Sequence, residues 1–491
     1  MSKVSLPRHL SLLGLASTGI CSMLGASIYV VPFMIQKNVP GIGPYVLPAF
    51  LFAAVPALMA AFSYSTLASA MPRAGGSYIY ASRGLSPYLG FVASFSQWFG
   101  LSIAIGVISY VIIPFFRDIA SQIGAVQVAE VLEMGFVRVS LALLLLWIFV
   151  YINLRGVTSY ERTVIPLMIL MFVLGAIVIV SGFMFTQDEF INLVSTEHGI
   201  TVSLEPAKFQ WQVFFAAAAL LFSSFIGFDS IAQAGGEAKN PTRNLPLAIM
   251  IAIFSVGCFY FLFTSSVYHA VPWQFVADQA VQQDITAAGI LGYFLPSTLA
   301  IAIVVGAAIA LLNDLPAMIL SVSRLMFAWA EDGIFPKAIA KVDAKWQTPK
   351  NAIIASGLMA SIGILGSHFA GDFFLGIDIM VTSMLVNFLL MCLTVITLPI
   401  RNPAIASSIS VFKTRYVQLS FSVFGVMLLS VFLVVHIAKD IRSEVDAWYF
   451  HSTPVWLIVM SVASIIYFRE RKKLRHTGVD VRSVFTSLPR E

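Results

Sequence analysis

Charge is scarce in this chain. Asp, Glu, Lys and Arg make up only 11% of its 491 residues, against roughly a quarter in a soluble domain. That shortage excludes an ordinary water-soluble enzyme or binding module. Cysteine is nearly missing as well. Cys21, Cys258 and Cys392 each sit inside an apolar run, which leaves no disulfide framework and no thiolate metal site. The 7 histidines show no ligand spacing, so no metal is expected. There is no G-x-x-x-x-G-K-[ST] loop to cradle nucleotide phosphates, which removes direct ATP drive. No Ser/His/Asp or Cys/His constellation stands out, so neither an enzyme nor a cofactor is expected. The formal net charge of +5 is small. Its basic residues lie between apolar runs and at the ends, which is a topology signal and not a nucleic-acid footprint.

What the chain has in quantity is hydrocarbon. Hydrophobic residues reach 59% and the mean hydropathy is +0.89. Apolar runs of roughly 20 residues, the length that crosses a bilayer, recur from end to end. They predict an all-α polytopic membrane protein with 12 spans, at about 10–36, 43–71, 86–116, 134–154, 162–186, 211–235, 245–271, 293–328, 350–369, 372–399, 414–438 and 452–468. The first run is too long for a signal peptide and contains a motif, so it is read as retained. An even count puts both termini on one side. With that side inside, only Lys37, Arg117, Arg138, Lys208, Lys439 and Arg442 of the 29 basic residues fall outside, as the positive-inside rule requires. This places the chain in the cytoplasmic membrane with both ends in the cytoplasm. The outer loops at 187–210 and 272–292 read as short connections, with Trp211 and Trp273 as interface anchors. No soluble domain is expected. The basic segment 469–491 reads as a solvated tail lying on anionic lipid.

Two spans contain residues that a lipid-facing helix should lack. Span 6 runs from apolar Val213–Leu221 into F-S-S-F-I-G-F-D-S, Phe222 to Ser230, and leaves through the polar run Glu237–Asn244. Hydrocarbon supplies no water to a freed backbone group, so a break at that depth survives only where it lines a cavity. Ser223–Ser230 is therefore read as an unwound, ligand-binding segment. The centre of span 1 reads L-G-A-S-I-Y-V-V-P, Leu24 to Pro32. Small residues there could simply allow close helix packing. The pairing argues otherwise, because spans 1 and 6 are five spans apart and cross in opposite directions. Matching interruptions in corresponding spans of two halves point to a transporter site built from inverted repeats.

Helix ends then suggest a ligand. The outer half of span 1 starts near Ala26, so the N–H groups of Ala26, Ser27 and Ile28, next to Gly25, can hold a carboxylate. Carbonyls at Cys21–Leu24 and at Ser223–Phe225 can accept from an ammonium group. Donors and acceptors a few ångströms apart suit an α-amino acid.

The same residues resemble the amino acid–polyamine–organocation (APC) permeases, which have the leucine-transporter fold. G-A-S-I-Y (Gly25–Tyr29) is similar to the family's span 1 break. M-P-R-A-G-G-S-Y-I-Y (Met71–Tyr80) resembles its loop after span 2, and N-L-R-G-V (Asn153–Val157) its turn before span 5. G-F-D through G-E-A-K-N-P-T-R-N-L-P (Gly227–Pro246) is similar to its span 6 signature. S-R-L-M-F-A-W-A-E-D-G-I-F-P (Ser323–Pro336) resembles the loop after span 8. The resemblance implies a 5+5 inverted repeat with discontinuous helices 1 and 6. The core would be residues 1–399, with repeats at about 10–186 and 211–399, followed by two accessory spans in 400–468 and the tail 469–491. It also implies roles. The Gly25–Ile28 backbone would bind a substrate carboxylate, and Ser223, Ile226 and Gly227 would line the substrate side of span 6. Phe228 or Phe225 would act as a gating aromatic, and Asp229 would serve gating or proton linkage. The loops with Arg73, Glu237, Arg324 and Asp332 would supply inner-gate contacts. The sequence departs from the pattern in places. Ser27 stands where the family usually has glycine, Thr66 where many relatives have Glu, and Met171 where some proton-coupled relatives have Lys. No hydroxyl pair occurs near Leu312 and Asn313, which argues against a standard sodium site.

Asp229, Asp314 and Asp378 lie inside apolar runs. An ionised acid at mid-bilayer costs on the order of 2.5–3.5 kcal/mol, so each is a functional candidate by default. Asp314 is expected to carry a proton or to pair with a cationic substrate; the alternative is a neutral acid supporting a kink at Pro316. For Asp229 the alternative is a cap on the inner half of span 6, and for Asp378 a water-exposed or paired acid. Gln97 and Trp98 in span 3 either line the site or make an interhelical hydrogen bond. Taken together, the sequence predicts a permease for amino acids or related amines, coupled to H+ through Asp314 or Asp229 or to counter-exchange. A polyamine or cationic amino-acid antiporter is the nearest alternative, and an inorganic-ion carrier or channel on the same fold a more distant one. Substrate side chain, coupling ion and oligomeric state are not legible.

Overall fold

A computed structural model of the chain describes residues 6–25, 27–204, 206–282, 285–370, 373–445, 447–477 and 480–489. Among these residues it contains 12 helices long and apolar enough to cross a membrane. They are Leu12–Asn38, Gly43–Ala70, Pro87–Gln122, Gly135–Leu154, Val157–Met184, Trp211–Gln233, Pro241–Ala270, Ser297–Glu331, Lys350–Phe369, Leu375–Arg401, Arg415–Arg442 and Ser452–His476, called spans 1 to 12 below. β-pairing among the described residues is confined to two isolated bridges, Leu10 with Ala238 and Ala74 with Ala234.

Local chemistry sets the helix starts. Ser11 caps span 1 by accepting from Gly14 N at 3.0 Å. Ser86 caps span 3 by accepting from Leu89 N at 3.1 Å, with Pro87 at the first helical position. Pro241 opens span 7 after Asn240, whose φ is +43°. Proline suits the first turn because its missing N–H would have had no partner there. Buried hydroxyls inside spans mostly return to their own helix, as Thr18 does to Gly14 O at 2.8 Å and Ser109 to Ile105 O at 2.7 Å. Such bonds make serine and threonine affordable in hydrocarbon.

Burial sorts the spans into a centre and a rim. In span 1, 88% of the apolar window is buried, and in span 6, 78%; in span 4 the share is only 22%. Large apolar side chains such as Phe254, Phe261, Phe424 and Met427 are exposed on the outside, which fits a lipid-facing surface and no aqueous one. Span 3 packs against spans 8, 9 and 10, while span 7 packs against spans 1, 2 and 5. Span 1 also packs against span 8, and the Ser230–Gln233 turn of span 6 packs against both.

Several expectations are revised by the fold. The outer connections are not plain loops: Gln187–His198, Trp273–Gln282 and Ala287–Leu291 are helices. All three cysteines lie in apolar runs, but only Cys21 and Cys392 are buried; Cys258 is exposed on the rim. Asp378 is half-buried near the outer end of span 10, and its carbonyl oxygen lies 3.2 Å from His436 Nε2. The tail beyond span 12 is not free. Phe485 is buried there, as is Leu474 in the last turn of span 12, for reasons taken up below.

Candidate functional site

Span 1 is two half-helices. The first, Leu12–Met23, closes with Leu24 N donating to Ile20 O at 2.9 Å, and the second is Ser27–Asn38. Span 6 is interrupted in the same way. Its helix Trp211–Leu221 tightens to a 3-10 turn at Phe222–Phe225, Ile226 is extended, and helix resumes only at Ser230–Gln233. Gly227 lies at the break with φ +138°, a conformation open to glycine and strained for other residues.

The two breaks touch. A Cβ placed on Gly227 would lie 2.3 Å from the Ser22 carbonyl oxygen and 2.8 Å from Met23 N. Just below, Ser22 Oγ and Ser230 Oγ are 3.1 Å apart, and a Cβ on Gly19 would meet Ile231 at 2.5 Å. Tyr260 of span 7 donates its hydroxyl to the Met23 carbonyl, satisfying one acceptor that the interruption frees. The expected meeting of broken ends is therefore present, with backbone against backbone.

The predicted residues divide as follows. Gly25 is buried at the span 1 break, and a Cβ there would meet Asp314 Oδ2 at 2.5 Å. Asp314 of span 8 thus stands at the entrance to the second half-helix. Its Oδ1 is buried and has no hydrogen-bond partner among the described residues. Ile28 is buried in the first turn of that half-helix, whose N–H groups have no intrahelical partner. Ala26 and the Ser27 side chain lie outside the described residues. Ile226, Gly227 and Phe228 are buried at the span 6 break. Ser223 is one turn earlier, and its hydroxyl is spent on Leu220 O at 2.8 Å. The neighbouring Ser224 hydroxyl is buried with no partner among the described residues. Sequence reading passed over it, although two adjacent serines in an apolar run were signal enough to consider both.

Asp229 does not cap the inner half-helix: its side chain makes no capping bond. It reaches back, its Oδ1 accepting from Gly227 N at 3.1 Å and its Oδ2 from Gln97 Nε2 of span 3. Gln233 Nε2 in turn donates to Ser77 Oγ at 2.7 Å and to Gln97 Oε1 at 3.3 Å. Ser77 Oγ lies 2.7 Å from Tyr64 Oη, which accepts from Asn387 Nδ2 at 2.7 Å. One buried chain of hydrogen bonds thus joins spans 10, 2, 6 and 3. Gln97→Leu would leave Asp229 Oδ2 without its donor at a cost of about 1–3 kcal/mol. The expected outcome is a lower unfolding temperature in detergent together with weaker substrate half-saturation. Unchanged values for both would show that the Gln97 bond does not hold the break.

The aromatic candidates are fixed in different places. Phe228 stacks on Phe388 at 5.0 Å and sets its edge against Tyr64. Phe225 packs edge-on against Phe50 and Tyr260. The end of the bundle that carries residues 6–10 and 481–489 is joined by two buried ion pairs. Arg324 donates to Glu237 at 2.9 and 2.7 Å. Asp332 is held by Arg83 at 2.5 and 2.8 Å and accepts from Tyr78 Oη at 2.6 Å. Of the four loop residues named as inner-gate contacts, Glu237 and Arg324 meet each other. The partner of Asp332, however, is Arg83, on the short helix Gly76–Gly84, whereas Arg73 donates to Pro489 O at 3.0 Å. Pro316 is supported from outside, its carbonyl accepting from Asn153 Nδ2 at 3.2 Å.

This architecture has counterparts. The family model described as amino acid permease matches residues 10–468. This chain belongs to that family. Human "Cationic amino acid transporter 4" is 27% identical to this permease over 376 residues, covering 73% of the chain and 55% of the relative. The "Branched-chain amino acid permease BcaP" of Bacillus subtilis is 27% identical over 380 residues, covering 74% and 75%. The "Methylthioribose transporter" of Bacillus subtilis is 26% identical over 481 residues, covering 96% and 94%. The permease thus spans little more than half the length of the human relative and nearly all of the last.

Proposed function

We propose that this chain is a secondary transporter that moves an amino acid or related amine across the cytoplasmic membrane by alternating access. The observation that carries the reading is the contact of two interrupted spans at Gly227 and Ser22, with Asp314 against Gly25. The names of the human and BcaP relatives support an amino acid as the cargo. Gly25, Ala26, Ser27 and Ile28 would present N–H groups to the substrate carboxylate, with Ser223, Ile226, Gly227 and Phe228 facing it from span 6. The core would be two inverted repeats of five spans, in which spans 1, 2, 6 and 7 rock against spans 3, 4, 8 and 9. The closed, basic end would be cytoplasmic, both termini with it.

Coupling follows from charge. Asp314 lies at the helix end that would take the substrate carboxylate, and two anions there repel. A proton on Asp314 would remove that repulsion, so proton and substrate would bind together; Asp229, holding the other break, is the second candidate carrier. The unpartnered Asp314 Oδ1 favours a second reading, in which the acid receives the cationic group of a lysine-like or polyamine substrate and the protein is an exchanger.

A thermal-shift screen of amino acids, polyamines and methylthioribose on purified protein at two pH values tests the site. A ligand at about 100 times its Kd adds about 2.7 kcal/mol of stability. In proteoliposomes, Asp314→Asn should lower uptake at least about tenfold and abolish its response to an imposed proton gradient. Undiminished lysine or cadaverine uptake by that variant would rule out the charge-pair version. Uptake that fails to saturate would indicate a pore, and chemically altered cargo an enzyme.

A further inference from the structure

The basic end of the bundle has a third closure besides its two ion pairs, and it is made by the chain's own C-terminal segment. Val481–Thr486 forms a short helix, followed by residues 487–489. Phe485 is 6% exposed, joins the main hydrophobic core, and is flanked there by the half-buried Val481, Val484 and Leu488. Val481, Val484 and Phe485 share one face of the short helix, and Leu488 follows it. The Arg83 guanidinium lies 5.6 Å from the Phe485 ring centroid. The backbone of the segment is held as firmly. Arg83 donates to Val484 O at 3.1 Å and to Ser487 O at 3.2 Å. Asn402 Nδ2 donates to Thr486 O at 3.0 Å, and Arg73 Nε to Pro489 O at 3.0 Å.

The docking floor is itself built from gate parts. Arg83 is the residue that holds Asp332 at the end of span 8. Arg73 lies three residues from Gly76, whose backbone is packed so closely on span 6 that a Cβ would meet Ala232 O at 2.5 Å. Asn402 follows span 10. The segment therefore ties the loop after span 2, a span of the group that would rock, to the end of span 10, which packs against span 3 of the other group. Span 12 joins in, since a Cβ on Gly333, just after Asp332, would meet the Leu474 side chain at 3.0 Å.

We infer that residues 481–489 act as a strap that holds the basic end shut and slows transport, and that displacing the strap opens this end more often. The inference rests on the alternating-access reading. A strap bound only to the closed arrangement stabilises that arrangement by its differential contacts alone, so its release raises the open population and the turnover together. A covering of this kind can be lifted by any agent that competes for the segment.

Phe485→Ser removes the apolar anchor and leaves Arg83, Asp332, Glu237 and Arg324 untouched. Two readouts on the full-length protein decide the matter without requiring a known substrate. Hydrogen–deuterium exchange of residues 481–489 reports the strap. Labelling of Cys21 by a membrane-impermeant maleimide, resolved from Cys258 and Cys392 by peptide mass spectrometry, reports opening, because Cys21 is fully buried beside Asn313 in the inner half of span 1. The expected result is rapid exchange of the segment and Cys21 labelling faster by about tenfold, with Asn402→Ala moving both readouts in the same direction by less. Faster exchange with unchanged or slower Cys21 labelling would overturn the inference, as would a segment that stays protected in both variants. Absence of lysine or leucine uptake by wild-type protein that gave the expected labelling would count against the transporter reading and not against the strap.

Discussion

Gly227→Ala is expected to abolish uptake, by about 100-fold or more, and to lower the unfolding temperature. A methyl group at this position meets Ser22 O at 2.3 Å, Ser22 C at 2.4 Å and Met23 N at 2.8 Å. All three are backbone atoms, so no side chain can rotate away. The φ of +138° adds strain of its own, of order 1–3 kcal/mol for a residue other than glycine. The clash can be relieved only by moving the span 6 break away from span 1, which dismantles the site. Gly25→Ala provides the contrast. Its methyl would meet Asp314 Oδ2 at 2.5 Å and Asp314 Cγ at 3.4 Å, the far end of a side chain that can turn. That variant should fold with a near-wild-type unfolding temperature and still transport poorly, because Asp314 is displaced. Vesicle uptake and thermal unfolding, measured on both variants, check the pair. Near-normal uptake by Gly227→Ala would mean that the touching breaks are not where the cargo binds.

The membrane fold was legible because hydrocarbon imposes it. Twelve apolar runs announce twelve spans, and their ends in the structure fall close to those read from hydropathy except where the runs continue as helix into the polar zone. Gly25 and Gly227 were legible for a related reason: beside serines at mid-span they mark a helix break, whose freed backbone groups are costly in hydrocarbon unless they line a cavity. Which charges pair at the basic end was not legible. Arg73 and Arg83 both follow span 2, and charge alone does not say which reaches Asp332. Backbone geometry decides it, because Gly75 turns with φ +71° and starts the helix Gly76–Gly84. That helix carries Arg83 back against span 8 and leaves Arg73 facing the tail. The tail itself was misread as solvated because its run of Arg and Lys dominates the composition. Its partners bind main-chain carbonyls, which every sequence possesses, and only Val481, Val484, Phe485 and Leu488 betray a docked face. The Asp229 contact was obscured in the same way, since reaching back to Gly227 N depends on the geometry of the break.

The second large effect belongs to Glu237. Its carboxylate accepts two bonds from Arg324, at 2.9 and 2.7 Å, and both side chains are 1% exposed. Its carbonyl also accepts from Leu10 N at 2.8 Å, so the exit of span 6 is tied at once to span 8 and to the segment before span 1. Removing the acid leaves a buried guanidinium whose remaining side-chain hydrogen bond among the described residues is to Ser323 Oγ, at 2.9 Å. Breaking a buried pair from one side costs about 3–5 kcal/mol, whereas replacing both partners by apolar groups of similar size is often neutral. Glu237→Ala should therefore unfold at clearly lower temperature and take up substrate poorly, because the basic end no longer closes. The double variant Glu237→Leu with Arg324→Met should recover most of the stability. It should recover only part of the uptake, since an apolar contact closes the end without a charge pair that water can separate on opening. A double-mutant cycle on unfolding free energy measures the coupling directly, and a value of several kcal/mol is expected. Additive single effects, with no recovery in the double variant, would show that the pair does not act as a unit and that the closed end is held elsewhere.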